Sequence, residues 1–141
     1  MRKRPRGSVL VEFALASVLL APALAAMFQL GYSCWVYNAL ETAVRSGARY
    51  ASRAAYDGAD FDARVRNMVV YGEPEPAADA APRVPGLARE HIRVEATFHG
   101  PMPERVTVGV EQFPIPVLWG AVELRSRPAS TFQYMGRLVT P

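Results

Sequence analysis

From Phe13 to Leu40 the chain runs for 28 residues without a formal charge, and beyond that it turns amphipathic. About 20 apolar residues carry a helix across a bilayer, so a membrane-spanning part is expected over about 13–37. No strong breaker follows between Asn38 and Ala55. The pattern therefore predicts one helix over 8–55, about 70 Å long. Glu41 and Arg45 are four residues apart, in the favourable order for an intrahelical ion pair. Arg45, Arg49 and Arg53 form a basic stripe, read first as a solvated face and otherwise as a contact for acidic neighbours. Opposite lie Val44, Gly47, Ala48, Ala51 and Ala55, small side chains that permit close helix approach. Ala14, Ser17, Ala21 and Ala25 extend that theme. Pro22 has no N–H, so a kink or local melting is expected near Val18.

Asp57-Gly58 is a turn signal, and 56–72 reads as a turn followed by a second helix over Asp60–Tyr71. Its apolar stripe is Phe61, Val65, Met68 and Val69, at spacings of three and four. Residues 73–90, with Pro74, Pro76, Pro82, Pro85 and a run of alanines, read as an exposed linker and hinge. The rest, 91–141, reads as an antiparallel β region. Ile92, Val94, Ala96 and Phe98 alternate with polar residues, as do Val106, Val108 and Val110, which predicts a hairpin. Val122, Leu124 and Ser126 begin a third strand, interrupted by Pro128 and resumed at Ser130, Phe132 and Tyr134, as an edge strand with a bulge. Phe113 to Gly120 reads as an apolar connection that caps a small core, or else as a greasy contact for a partner or the membrane surface. The expected fold class is α+β: a long N-terminal transmembrane helix continuing into a domain with a short second helix and a small antiparallel sheet of three to four strands.

Charge changes the picture at the N-terminus. The formal net charge is +3, but four of the 16 basic residues, Arg2, Lys3, Arg4 and Arg6, precede Gly7 and no acid does. Beyond Gly7, twelve basic residues face thirteen acidic ones. A nucleic-acid reading loses its support, and the cluster reads as a cytoplasmic flank that orients the membrane segment. Cys34 is the only cysteine, so no intramolecular disulfide can form. Inside the apolar stretch it reads as a small buried or lipid-facing residue.

Three readings of the N-terminal segment compete. One is a plain membrane anchor. Another is a secretory signal peptide, with small-residue cleavage sites at Ala21-Pro22-Ala23 or Ala23-Leu24-Ala25. Against that stand Glu12 within the hydrophobic region and an apolar stretch that continues to about Tyr37. The third takes in every feature. An acid at the mouth of a bilayer helix needs a partner, and cutting the chain after Gly7 would make one: the α-ammonium of Ser8, about one helical turn from Glu12. Arg2-Lys3-Arg4-Pro5-Arg6-Gly7 followed by Ser8-Val9-Leu10-Val11-Glu12-Phe13 resembles the type IV prepilin leader. That resemblance implies cutting between Gly7 and Ser8 by a membrane peptidase on the cytoplasmic side. It further implies that Glu12 sets registry by pairing with a neighbouring subunit's N-terminus, and that the apolar helix is retained to pack in a filament core.

With the long helix, the short helix ending near Tyr71-Gly72, the paired valine strands and the Phe-Pro-rich connection, most of the chain looks like TadE-type minor pilins of tight-adherence (Flp) pilus systems. The major pilins of such systems also carry a glutamate followed by an aromatic residue, as Glu12-Phe13 does here, although tyrosine is frequent where Phe13 stands. The resemblance implies a pilus subunit anchored in the cytoplasmic membrane, N-terminus inside and C-terminal domain outside. Its partners would be other major and minor pilins, the prepilin peptidase and the membrane, with no nucleic acid or small-molecule substrate. No enzyme motif is present: there is no Gly-x-Ser-x-Gly, phosphate loop or His-Glu-x-x-His, and no catalytic, cofactor or metal residues are assigned. His91 and His99 sit about 26 Å apart on an extended strand, too far to share a metal. Asp57, Asp60 and Asp62 read as turn and capping residues rather than a cation site. The alternatives are an uncut bitopic membrane protein with a small extracytoplasmic binding domain, and a secreted β-rich protein.

Overall fold

A computed structural model describes residues 6–100, 102–117 and 120–136. Helix α1 spans Arg6–Ala51, 46 residues and about 69 Å. Helix α2 spans Ala59–Val70. A 3-10 turn over Arg89–His91 leads into five strands: β1 (Ile92–His99), β2 (Met102–Val110), β3 (Phe113–Val117), β4 (Gly120–Leu124) and β5 (Ala129–Gln133). They form an antiparallel three-stranded sheet in the order β1-β2-β5 and a separate antiparallel β3-β4 pair. The fold is α+β, with a long apolar helix, a short second helix and small antiparallel sheets, as the sequence pattern predicts.

The two halves of α1 do different work. Val9, Leu10, Phe13, Leu19, Met27 and Phe28 stand exposed, and burial begins at Val36. From there Val36, Leu40, Ala43, Val44, Ala48 and Ala51 form one wall of the core. Their spacings of three and four place them on one helix face. Phe61, Val65, Val69 and Val70 of α2 are buried against it, joined by Val106, Val108 and Val110 of β2. Burying each such side chain contributes about 1.5–3 kcal/mol. The small-residue face of α1 is thus used within the molecule. At Gly47 a Cβ would overlap Val69 Cγ2, so the absence of a side chain there lets α2 lie close.

Several details differ from the pattern. Pro22 lies inside α1 and the helix is unbroken from Arg6 to Ala51, so the melting expected near Val18 does not occur. Proline removes one ladder bond, and the flanking bonds hold the helix together. Helix α1 stops at Ala51, short of Ala55, because the last carbonyls are taken from elsewhere. The N–H of Met135 donates to Ser52 O at 2.8 Å, and the Tyr134 hydroxyl donates to Ala54 O at 2.8 Å. Residues 73–90 form a mostly exposed loop, as expected, but one that is pinned rather than a free hinge: Val84 and Leu87 are buried, Arg83 N–H donates to Val70 O, and Asn67 Nδ2 donates to Pro74 O. The segment is strapped along the helix pair.

The hairpin of β1 and β2 is observed, with Ile92 opposite Val110 and a register shift between Thr97 and Phe98. The single third strand resolves into two, in different sheets. Ser126 takes a left-handed conformation (φ 68°), turning the chain so that β4 pairs with β3 and β5 with β2. The supposed connection at Phe113 is strand β3. Phe113 and Ile115 are buried and Pro114 and Pro116 exposed, an alternation that the prolines disguise.

Candidate functional site

The segment singled out by charge is the start of α1. Arg2, Lys3 and Arg4 lie outside the described residues. Arg6, Gly7 and Ser8 are backbone of the first turn of α1. Glu12 and Phe13 follow on the exposed helix, Phe13 with 72% of its surface free. Val9, Leu10 and Val11 beside them are exposed as well. Among the described residues Glu12 makes no ion pair and no side-chain hydrogen bond. Ser8 and Glu12 are four residues apart, about 6 Å along the axis and on the same face. A carboxylate therefore projects from a sleeve of apolar side chains, close to the residue proposed as a new N-terminus.

Above it the helix presents largely apolar surface as far as Trp35, with Ser17, Gln29, Tyr32 and Ser33 as its polar side chains. Gln29 Nε2 donates to Pro116 O at 2.8 Å and lies 3.4 Å from Ser33 Oγ. This contact ties β3 to α1 about 10 Å below Val36. Sequence reasoning passed over it, although the one amide between Phe13 and Trp35 was the available signal. Tyr32 and Trp35 pack nearby with ring centroids 6.0 Å apart. Cys34 is exposed.

The basic stripe lies further along. Arg45 pairs with Glu41 at 2.6 Å, while Arg49 and Arg53 are exposed. With Thr42, Tyr50 and Met68 they line an open depression of about 660 Å³ between α1 and α2. Arg64 grips the carboxylate of Asp57 from both sides, at 2.7 and 2.8 Å, and donates to Ala55 O. The hydrogen bond from Arg64 holds the Asp57 carboxyl below its ordinary value. Burial instead raises Asp62, against the pull of Arg66. Asp57 is thus engaged in closing the turn between α1 and α2. Neither histidine takes part in a site. His91 lies in the 3-10 turn rather than at an exposed strand end, and its Nδ1 accepts from Ala88 N–H at 3.1 Å. His99 is exposed at the far end of β1. Among the described residues no three His, Cys, Asp or Glu side chains gather as a metal site.

What this geometry offers is a surface for association: a long uncovered apolar helix with one acid near its start. The comparison with protein families falls on the same segment.

Residues 7–49 match the family model of TadE-like protein.

No curated protein and no solved structure matches the chain. The TadE-like match begins at Gly7 and ends two residues before α1 does. It covers the exposed half of α1 and its buried half, and none of the strands. It points to a Tad pilus-associated membrane protein, from a structural rather than an enzymatic family. Among the described residues α1 is the one helix long and apolar enough to cross a membrane, which is consistent with a membrane-anchored pilus protein.

Proposed function

We propose that this chain is a minor pilin or pilus-assembly subunit of a tight-adherence (Flp) pilus, anchored by α1 and cut by a prepilin peptidase between Gly7 and Ser8. The observation that carries this reading is the exposed Glu12 at the start of an uncovered apolar helix, inside a TadE-like segment that begins at Gly7. Cutting there creates an α-ammonium at Ser8. In lipid both charges are costly when alone, and pairing between subunits offsets their desolvation. Glu12, with Phe13 beside it, would then admit a neighbour only at one axial offset. Arg2, Lys3, Arg4 and Arg6 would keep the N-terminus in the cytoplasm until processing, leaving the domain beyond Val36 outside the membrane. The subunit's partners would be the other pilins, met through the exposed half of α1.

The test is the N-terminal sequence of the chain isolated from membranes of its own cell. Ser8 is expected at the first position. An intact Met1 would instead support the uncut bitopic protein, and a start at Leu24 or Ala26 in a soluble fraction would support the secreted one.

A further inference from the structure

We propose that the β3–β4 hairpin is a second membrane contact, seated in the headgroup layer from which α1 emerges. This rests on α1 spanning the bilayer. About 20 residues fill the hydrocarbon core. Counted from Phe13, the first residue past Glu12, they end at Tyr32, and Gln29 lies about one helical turn short of that end. The Gln29 amide holds Pro116 O at 2.8 Å. The turn end of the hairpin, where Val117 lies opposite Gly120, is therefore held within about 5 Å of the boundary of the apolar layer.

The chemistry of the hairpin fits that depth. From Phe113 to Val122 it carries no charged residue, and Val122 is 54% exposed. The other hairpin differs on both counts. The β1–β2 turn is flanked by His99, Glu104 and Arg105, and Phe98 beside it packs on Tyr56, past the far end of α1. The β3–β4 hairpin, whose turn half is uncharged and whose Glu123 lies toward the other end, points toward the apolar half of the helix, and the charged β1–β2 turn points away from it.

The backbone fits as well. A strand edge next to lipid is costly because its N–H and C=O groups lack partners. In an antiparallel pair alternate residues turn both groups away from the partner strand. Proline cannot donate, so the ladder donors of β3 toward β4 are Phe113, Ile115 and Val117, and the outward positions are Pro114 and Pro116. That edge of β3 consequently offers no N–H, and the outward carbonyl of Pro116 is taken by Gln29. The opposite edge, along Ala121 and Glu123 of β4, keeps its polar groups, which limits the hairpin to the hydrated headgroup layer.

The experiment labels full-length protein with an environment-sensitive fluorophore at single cysteines, in a Cys34→Ser background. The sites are Leu20→Cys on α1, Ala121→Cys and Val122→Cys on the hairpin, and Thr97→Cys on β1. The protein is reconstituted in phosphatidylethanolamine–phosphatidylglycerol vesicles with nitroxide lipids labelled either near the headgroup or deep in the chain. Leu20 should be blue-shifted and quenched by the deep nitroxide. Positions 121 and 122 should be blue-shifted relative to Thr97 and quenched chiefly by the shallow one. Hairpin labels as aqueous as Thr97, with Leu20 embedded, would overturn the proposal and leave the prolines as a block to strand pairing between copies. An aqueous Leu20 would instead overturn the membrane anchor itself.

Discussion

At the scale of single residues, two carboxylates near the turn between the helices pull stability in opposite directions with pH. The hydrogen bond from Arg64 lowers Asp57 from its ordinary 3.8. Its contribution is thus fully present above about pH 4 and is lost as pH falls through the depressed value. Asp62 is raised by burial, against Arg66. Its charged form is disfavoured in the folded state, so its effect runs the other way and weakens the fold as pH rises through the raised value. Asp57→Asn should therefore flatten the acid loss of stability below pH 4, and Asp62→Asn should steepen it. Urea melts of the full chain in detergent at pH 3 and pH 6, followed by near-ultraviolet circular dichroism, would show this. Equal pH slopes for wild type and Asp57→Asn would mean that the ion pair does not outlive solvent screening.

At the scale of elements, the strand β5 holds the end of α1 in place. The Tyr134 hydroxyl caps Ala54 O and the Met135 N–H caps Ser52 O, while Tyr134 N–H donates to Glu104 O of β2. Tyr134→Phe removes one of these donors and leaves a carbonyl short of a partner, a loss of about 1 kcal/mol. The same melts should show that loss, and amide exchange at Ala54 and Tyr56, just past the end of α1, should be faster than in the wild type. An unchanged exchange pattern would mean that water replaces the hydroxyl. This cap also marks where the sequence stopped being legible. The periodic elements, α1, α2, β1 and β2, could be read because one face of each is apolar and the period shows it. The end of α1 could not, since the groups that terminate it lie about 80 residues away in the chain. Strand β3 was hidden because Pro114 and Pro116 look like loop residues, although each occupies an outward edge position that needs no donor. Val84 and Leu87 sit in a proline-rich segment with no period to reveal their burial. At the candidate site the position of Glu12 at the start of a long apolar helix was legible, because a charge beside a long uncharged run needs no tertiary information. The Gln29–Pro116 contact, joining residues 87 positions apart, was not.

At the scale of the whole molecule, one helix serves as the wall of a small core and as a bare apolar rod. The rod exposes far more contiguous apolar surface than a water-soluble monomer tolerates, so it must be covered, by lipid before assembly and, on the reading proposed here, by the rods of other subunits afterwards. Apolar contact alone is weakly directional and would let rods slide past one another. An acid and an amine at one level would fix the offset. Glu12→Ala should accordingly leave membrane insertion and cutting after Gly7 intact, since neither uses the carboxylate in this scheme, and should fail at incorporation. Removing one partner of a buried pair costs about 3–5 kcal/mol, which at 1.4 kcal/mol per decade is about a hundredfold or more in the assembly equilibrium. The readout is the ratio of variant to wild-type chain in sheared filaments, normalised to the cut form in the membrane fraction. Glu12→Gln separates the terms: it keeps the shape and the hydrogen bond but not the charge, and should fall nearly as far. Full incorporation of both variants would show that packing alone sets the offset, and Glu12 would then be a surface charge at the membrane edge with no role in registry.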